Sequence, residues 1–372
     1  MKKVLFATTA LIATAGMAAA DVKIGGYGRF GLAYNSGNER TAGVSETNIT
    51  SRLRLQFDMS TETDGGVGFN ARVRMQSENR NGNPARSAST GSATNGRPNN
   101  TDNGFNGARF GVTYGGLAVN VGNIIGAVEN TKGLYVTGAR SAGTGVDGMG
   151  FHSLAIKSMN AAGTAAGTMF NWDAYDSDGS GSNGIEALYS VGGFTGHISY
   201  TQRNGGAVLG EANGEQRTAV MVTYSFSDYY VSAAYQAADN TVISGSQFAT
   251  SNGTIMDPND GLYVITAGGD FGQFGARIAY GSTDVADSVT LEGSMDIGAA
   301  SNLVVWVNST DVDNAILTST TGTQAATGAS IDGTSFGINY QYDLGGGATF
   351  VAGYVDEADD DNQFQAGVYF SF

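Results

Sequence analysis

The sequence predicts an all-β protein, a 16-stranded antiparallel β-barrel that crosses a membrane. Three observations lead to this fold class. Glycine accounts for 57 of 372 residues while charged residues reach only 14%, a composition rich in turns and poor in charge. After residue 20, no window reaches the roughly 18 consecutive apolar residues that a membrane helix needs. Between the turn signals, apolar and polar residues alternate with the period of two that is typical of strands.

The first 20 residues are predicted to be a signal peptide, which leaves residues 21–372 as the mature chain. Lys2 and Lys3 give a positive start, residues 4–17 are largely apolar, and residues 18–20 are three alanines typical of a cleavage site. Lipid cannot satisfy backbone N–H and C=O groups, so a chain that spans a membrane with strands must close into a barrel. The mature chain is therefore predicted to be one barrel domain.

The alternation predicts individual strands. In the first mature segment, Val22, Ile24 and Phe30 share one face, while Lys23 and Arg29 share the other. The apolar face is predicted to meet lipid and the polar face to meet the lumen. The alternation is clearest in five segments, residues 22–35, 49–60, 67–76, 108–114 and 364–372.

Turn signals give the strand count. Seven short turns are predicted at residues 63–66, 115–116, 192–193, 227–228, 270–273, 298–301 and 345–347. Seven hairpins supply 14 strands, and the two terminal strands bring the number to 16. Eight longer segments lie between the hairpins, at residues 36–48, 77–104, 123–184, 202–217, 236–261, 281–288, 308–333 and 355–363. Short periplasmic turns, long external loops and two periplasmic termini are expected of an outer-membrane barrel.

The carboxyl end is the most specific local feature. Phe364, Phe370 and Phe372 lie on one face of the last predicted strand, and the chain ends on Phe372. A terminal aromatic residue resembles the assembly signal of outer-membrane barrel proteins, and pairing with residues 22–35 would remove both sheet edges. Further aromatic residues beside the short turns could form an interfacial girdle, namely Tyr114, Phe194, Phe226, Tyr229, Phe271, Phe274 and Tyr342.

With these features in place, the mature chain resembles the general diffusion porins of Gram-negative bacteria, specifically the Rhodobacter-type porins of alphaproteobacteria. The similarity is clearest at residues 21–24, at 51–54 (Ser-Arg-Leu-Arg) and at 340–348, which one more hairpin and the terminal Phe follow. The resemblance implies a water-filled homotrimeric channel in the outer membrane, surrounded by lipid and lipopolysaccharide. It also implies a third loop that folds inward and narrows the pore.

Six arginines are predicted to form a basic wall of the pore constriction. They lie on the polar faces of four consecutive strands, near mid-height of the membrane, and are Arg29, Arg52, Arg54, Arg72, Arg74 and Arg109. On the lipid face at the midplane, each would cost about 2–4 kcal/mol. The long segment 123–184 could supply an opposing acidic half through Glu129, Asp147, Asp173, Asp176 and Asp178. Such a field across the pore would orient dipolar solutes and hinder apolar ones.

The predicted function is passive diffusion of small hydrophilic solutes and ions, and a substrate-specific outer-membrane channel is the alternative. The sign of ion selectivity stays open, because the net charge of −15 favours cations while the arginines favour anions. The acidic charge also argues against a nucleic-acid partner. The two histidines, His152 and His197, have no partner at a recognisable catalytic spacing, so no enzyme is predicted.

One acidic segment has a partial metal-binding pattern. Residues 176–186 open like an EF-hand loop, but Glu186 falls at position 11 instead of 12 and no helix pattern flanks the segment. No cofactor is therefore predicted. Loosely bound Ca²⁺ in this segment, or at residues 359–361, remains an alternative.

Overall fold

A computed structural model describes residues 20–40, 45–79, 105–135, 170, 172–177, 181–204, 213–239, 248–249, 255–256, 260–313 and 331–372. In these residues, no helix is long and apolar enough to cross a membrane. The strands are β1 (Asp21–Asn35), β2 (Thr47–Glu62), β3 (Gly68–Asn79), β4 (Arg109–Tyr114), β5 (Leu117–Gly122), β6 (Gly184–Val191), β7 (Phe194–Asn204), β8 (Asn213–Phe226), β9 (Tyr229–Asp239), β10 (Phe248–Ala249), β11 (Ile255–Met256), β12 (Leu262–Phe271), β13 (Phe274–Ser282), β14 (Ala286–Ile297), β15 (Ser301–Val312), β16 (Gly333–Gly345), β17 (Ala348–Asp356) and β18 (Asn362–Ser371). A short 3-10 helix at Ser36–Arg40 follows β1.

Sixteen of these strands close into an antiparallel barrel, and β10 and β11 form a separate two-stranded ribbon. The first and last strands pair directly, with Phe30 opposite Val368. At the rim, Gly26 and Phe372 exchange two backbone hydrogen bonds of 3.1 Å each. The predicted strand number and the closure of the amino-terminal strand on the carboxyl-terminal strand are both confirmed.

All seven predicted turns lie between paired strands, but several predicted loops are shorter than expected, most clearly those at residues 281–288, 202–217 and 355–363. Residues 281–288 contain only a three-residue connection, 283–285, because β13 and β14 stay paired out to Ser282 and Asp287. The connection is closed by a hydrogen bond from Thr283 N to Ala286 O at 2.9 Å. Likewise, β7 and β8 extend into the segment predicted as the loop 202–217.

The barrel has an apolar outside and a largely polar inside. On β2 the outward Ile49 is 71% exposed and the inward Thr50 is 1% exposed. On β14 the same contrast holds for Leu291, 55% exposed, and Thr290, 1% exposed. Large apolar side chains point away from the protein because lipid is their solvent, which is the alternation that the sequence predicts.

Aromatic side chains form a continuous outer row beside the short turns. Phe194 stacks on Tyr224 with ring centroids 4.3 Å apart, and Tyr224 stacks on Phe226 at 5.5 Å. The row continues through Tyr229 to Phe271, at 5.7 and 5.4 Å. Amphipathic rings at this level suit a membrane interface.

The third loop, residues 123–183 between β5 and β6, enters the lumen in its described parts. Thr266 on the inner face of β12 donates a hydrogen bond to the carbonyl oxygen of Lys132 in this loop at 2.5 Å. Apolar loop residues also pack on inward apolar residues of β8, β9 and β12. The buried cluster contains Ala127, Val128, Leu134, Phe170 and Trp172 from the loop, and Ala219, Met221, Ala234, Leu262 and Val264 from the wall.

Candidate functional site

The six arginines of β1 to β4 lie on one continuous patch of the inner wall, hereafter the arginine wall. Strand register puts Arg29 opposite Arg52, and Arg72 opposite Arg109. Arg29 and Arg52 are 4% and 5% exposed. Because the four strands are consecutive neighbours in the barrel, residues from four different stretches of sequence become adjacent. The full set is Arg29, Arg52, Arg54, Arg72, Arg74 and Arg109.

Tyrosine and glutamine side chains contact the arginines of β2. Arg52 Nη1 donates to Tyr27 Oη at 3.1 Å, and the Arg54 guanidinium lies over the Tyr27 ring at 5.1 Å. Arg54 Nε donates to Gln76 Oε1 at 2.7 Å. Tyr27 in turn stacks on Tyr369 of β18, with ring centroids 5.0 Å apart. Such stacking fixes the guanidinium planes while leaving their charge intact.

An acid within the wall pairs with one of its arginines. Arg72 Nε lies 2.5 Å from Asp58 Oδ1, and Gln56 Nε2 donates to Asp58 Oδ2 at 2.7 Å. No role is predicted for Asp58 from the sequence. The signal was present in the hairpin register, because Asp58 is directly opposite Arg72.

The third loop meets the arginine wall through an aromatic ring. Tyr175 lies under the guanidinium groups of Arg74 and Arg109, at 4.4 and 5.4 Å from its ring centroid. Arg74 Nη1 also donates to Ser177 Oγ at 3.2 Å. Tyr175 is not predicted as a site residue, since nothing in the neighbouring sequence marks which loop residue will reach the wall.

The predicted acids of the third loop have varied surroundings. Asp173 accepts hydrogen bonds from Thr201 Oγ1 at 2.6 Å and from Arg217 Nη1 at 3.3 Å, on β7 and β8. Its carboxylate therefore contacts a different part of the wall, three to four strands away from β4. The backbone carbonyl of Asp176 accepts from Asn106 and Asn123. Asp147 and Asp178 lie outside the described residues.

Glu129 lies in the loop's own packed cluster. Its Oε2 accepts hydrogen bonds from Tyr135 Oη at 2.5 Å and from Trp172 Nε1 at 2.8 Å. Burial raises the pKa of Glu129 to about 7, against the lowering effect of these two donors. At neutral pH the carboxyl is therefore only partly ionised, and the structure places it with Tyr135 and Trp172 instead of with the arginine wall.

Comparison with known proteins places this geometry in a family. The Gram-negative porin family profile matches residues 7–363 of the chain. The chain belongs to the Gram-negative porin family. A porin from Fuscovulum blasticum is 28% identical over 301 residues, which cover 79% of this chain and 86% of that protein. Two solved variants of the Rhodopseudomonas blastica porin are 23% and 24% identical, with TM-scores of 0.64 and 0.63, and each comparison covers 95% of this chain and 100% of the other.

Membership of the porin family makes the barrel an outer-membrane channel that crosses the membrane many times. The fold of the R. blastica porin variants agrees with the closed barrel described above. The inward arginines are accordingly residues of a channel wall.

Two residues considered for other roles in the sequence, Glu186 for calcium binding and His197 for catalysis, contact each other in the structure. Glu186, the candidate EF-hand position, is 1% exposed and contacts His197 Nε2 at 3.1 Å. Its Oε2 also accepts the backbone N–H groups of Ile125 and Gly126 in the third loop. His152 lies outside the described residues, and loosely bound Ca²⁺ stays a prediction.

The raised pKa of Glu129 predicts a pH-dependent loop. Because the folded loop favours the protonated form, its stability is fully present below pH 4.5, falls as the pH rises from 4.5 to about 7, and then levels off. We expect the hydrogen-exchange protection of the amides of Asn130, Thr131 and Leu134, which bond within the loop, to fall by up to about a hundredfold across this range. Intrinsic exchange rates are corrected at each pH.

A Glu129→Gln variant is the matched control, because it keeps an acceptor for Tyr135 or Trp172 but does not titrate. Its corrected protection should be flat across the same pH range. Parallel curves for the wild-type and variant proteins would contradict the assignment of the pH dependence to Glu129.

Proposed function

We propose that this porin carries small hydrophilic solutes and ions by passive diffusion, and that the arginine wall lines its narrow part and favours anions there. The observation that carries the proposal is the grouping of six arginines on one inner face, against which Tyr175 of the third loop packs. Asp58 pairs with Arg72, while Asp173 pairs with Arg217 and the Glu129 carboxyl is partly protonated. We therefore expect a positive local charge at the wall although the whole chain is acidic.

We further propose a homotrimer, which the family resemblance implies. The outer wall at β4 and β5 supports it, because each of these strands has six residues. Tilted strands rise roughly 2.3 Å per residue along the membrane normal, so six residues span about 14 Å of an apolar band about 25 Å tall. An apolar groove of about 470 Å³ lies on the same outer wall, lined among others by Val22, Phe69 and Phe110. Protein from a second copy would cover this short wall better than lipid.

The connections support an orientation with both termini in the periplasm. Asp21 pairs with Ser60 near the first short turn, and Phe372 pairs with Gly26. Both ends of the mature chain therefore lie on the side of the short turns. Since the long loops of such barrels are external, we place both termini in the periplasm. Lipid and lipopolysaccharide are the expected surroundings of the outer face.

The proposal is of a channel and not an enzyme. The side chain of His197 is fully buried and faces Glu186, so a solute in the lumen does not reach it. Together with Asn120, these two side chains form a closed hydrogen-bonded group. A general base must be within hydrogen-bonding distance of its substrate.

The test is single-channel current from the purified, refolded mature protein in a planar bilayer with a salt gradient. We expect large ohmic current steps that arrive in threes. The sign of the reversal potential should indicate a preference for anions. Small currents that one particular solute blocks would contradict general diffusion and indicate a substrate-specific channel instead. Silence from a barrel shown to be folded by its resistance to heat in detergent would contradict both.

A further inference from the structure

A buried carboxylate on β6 holds the beginning of the third loop. Glu186 Oε2 accepts the backbone N–H groups of Ile125 at 3.0 Å and Gly126 at 2.9 Å. Its Oε1 accepts from Asn120 Nδ2 at 2.8 Å, and His197 Nε2 lies 3.1 Å from Oε2. Four polar groups thus surround one carboxylate that is 1% exposed, as a buried charge requires.

The loop side of this contact is a backbone nest. Gly126 has a φ of 89°, and the next residue, Ala127, donates its N–H to Ser199 Oγ at 2.9 Å. Successive N–H groups around such a residue form a concavity that binds anions. A Cβ at position 126 would lie 2.4 Å from the carbonyl oxygen of Asp173, so glycine is required. The anion in this concavity is the carboxylate of Glu186 on β6.

His197 supports the carboxylate from the far side. The side chains of His197 and Glu186 are both fully buried. Among the described residues, His197 Nδ1 has no hydrogen-bond partner. The neutral tautomer with its hydrogen on Nε2 therefore fits best, because that hydrogen points at Glu186 and no buried N–H is left unpaired.

The anchored turn also carries the segment that reaches the arginine wall. Asn123 Nδ2 donates to Asp176 O at 2.7 Å, and Asp176 N donates to Asn123 Oδ1 at 3.1 Å. The neighbouring Tyr175 lies under Arg74. Movement of the turn at residues 123–127 would therefore move Tyr175 relative to the arginines.

We propose that Glu186 is the positioning residue of the pore constriction. It binds the nest at residues 125–126 as an anion, and through Asn123 it sets where Tyr175 lies against the arginine wall. The importance of this position for permeation rests on the proposed function, but the anchoring itself can be measured without any current.

The test uses the absence of cysteine from the native chain. Val128, which is 1% exposed in the cluster next to the anchored turn, is replaced by cysteine as a reporter, and its labelling by a water-soluble methanethiosulfonate is timed. Adding Glu186→Leu, which keeps the volume but removes both acceptor oxygens, should speed labelling roughly tenfold or more. Glu186→Gln keeps one acceptor oxygen for the nest and should give an intermediate rate.

The matched control is Glu292→Leu, which removes another lumen carboxylate that is 1% exposed and is paired with Arg277 on β13. It should leave the labelling rate of the cysteine at position 128 unchanged. An unchanged rate with Glu186→Leu, or an equal rise with Glu292→Leu, would overturn the proposal.

If Glu186→Leu fails to form a heat-resistant barrel, the same comparison is made with Glu186→Gln and with Ser199→Ala. Normal anchoring in a barrel without current would contradict the proposed function and leave the role of Glu186 intact.

Discussion

Replacing Arg52 and Arg54 together by alanine is expected to shift the reversal potential toward cation preference, with a several-fold change in permeability ratio. Two unit charges about 7 Å apart in water interact by about 0.6 kcal/mol, so each arginine changes the local concentration of a passing ion by roughly threefold before salt screening. Arg29, Arg52 and Arg54 are the three arginines of β1 and β2, so the double variant leaves one of the three arginine charges in that part of the wall. Loss of two long side chains should also raise the conductance slightly.

The measurement is the reversal potential in a salt gradient, repeated at low and high ionic strength, where the difference should shrink with salt. The Arg52→Lys, Arg54→Lys double variant is the control, since it keeps both charges but loses the planar contact of Arg54 with Tyr27. It should retain the wild-type sign. An unchanged reversal potential in the alanine variant would remove these residues from the constriction.

Deleting Phe372 is expected to reduce the yield of assembled barrel severely in cells. The residue closes the sheet at the rim through its two backbone hydrogen bonds to Gly26. Its ring is 58% exposed on the lipid side and lies 6.3 Å from that of Phe370. Without it, the ends of β1 and β18 present unpaired backbone groups at the membrane interface, where they are costly. The heat-resistant fraction in outer-membrane preparations measures assembly.

Two variants separate the terminal position from aromatic character in general. Phe372→Tyr should restore assembly, whereas Phe364→Ala removes another outward aromatic side chain of β18, 45% exposed, and should assemble nearly normally. Refolding the deletion variant into lipid vesicles tests barrel closure without the cell's assembly machinery. Wild-type yields for the deletion variant in cells would contradict an assembly role for Phe372.

Sequence alone could predict most of the barrel because lipid imposes a simple rule on every spanning strand. Outward residues need to be apolar only within the bilayer. This limit explains why the loop predicted at residues 281–288 was too long. There the outward Asp287 is polar while its strand continues to pair with Ser282, since outside lipid an outward residue need not be apolar. Polar composition therefore made a strand end resemble a loop.

The arginine wall was predictable for the same reason, whereas the acidic half was not. Register between neighbouring strands is local information, but the partners of loop acids are distant in sequence. Asp173 meets Arg217, 44 residues away, and Glu129 meets Trp172, 43 residues away. One usable signal was missed. Met221, on the inner face of β8, is an apolar side chain where the lumen should be polar, and it indicates that something covers that wall.

The docked third loop has a consequence for the order of folding. The loop contacts β12 through the hydrogen bond between Lys132 and Thr266, which are 134 residues apart in the chain. Contacts of such separation form late, because the chain between them must first be ordered. The burial of Trp172, which is 0% exposed, also requires that the strands under it are already in place. We therefore expect a nascent barrel to keep an unobstructed lumen until β8, β9 and β12 have paired and the third loop can dock on them.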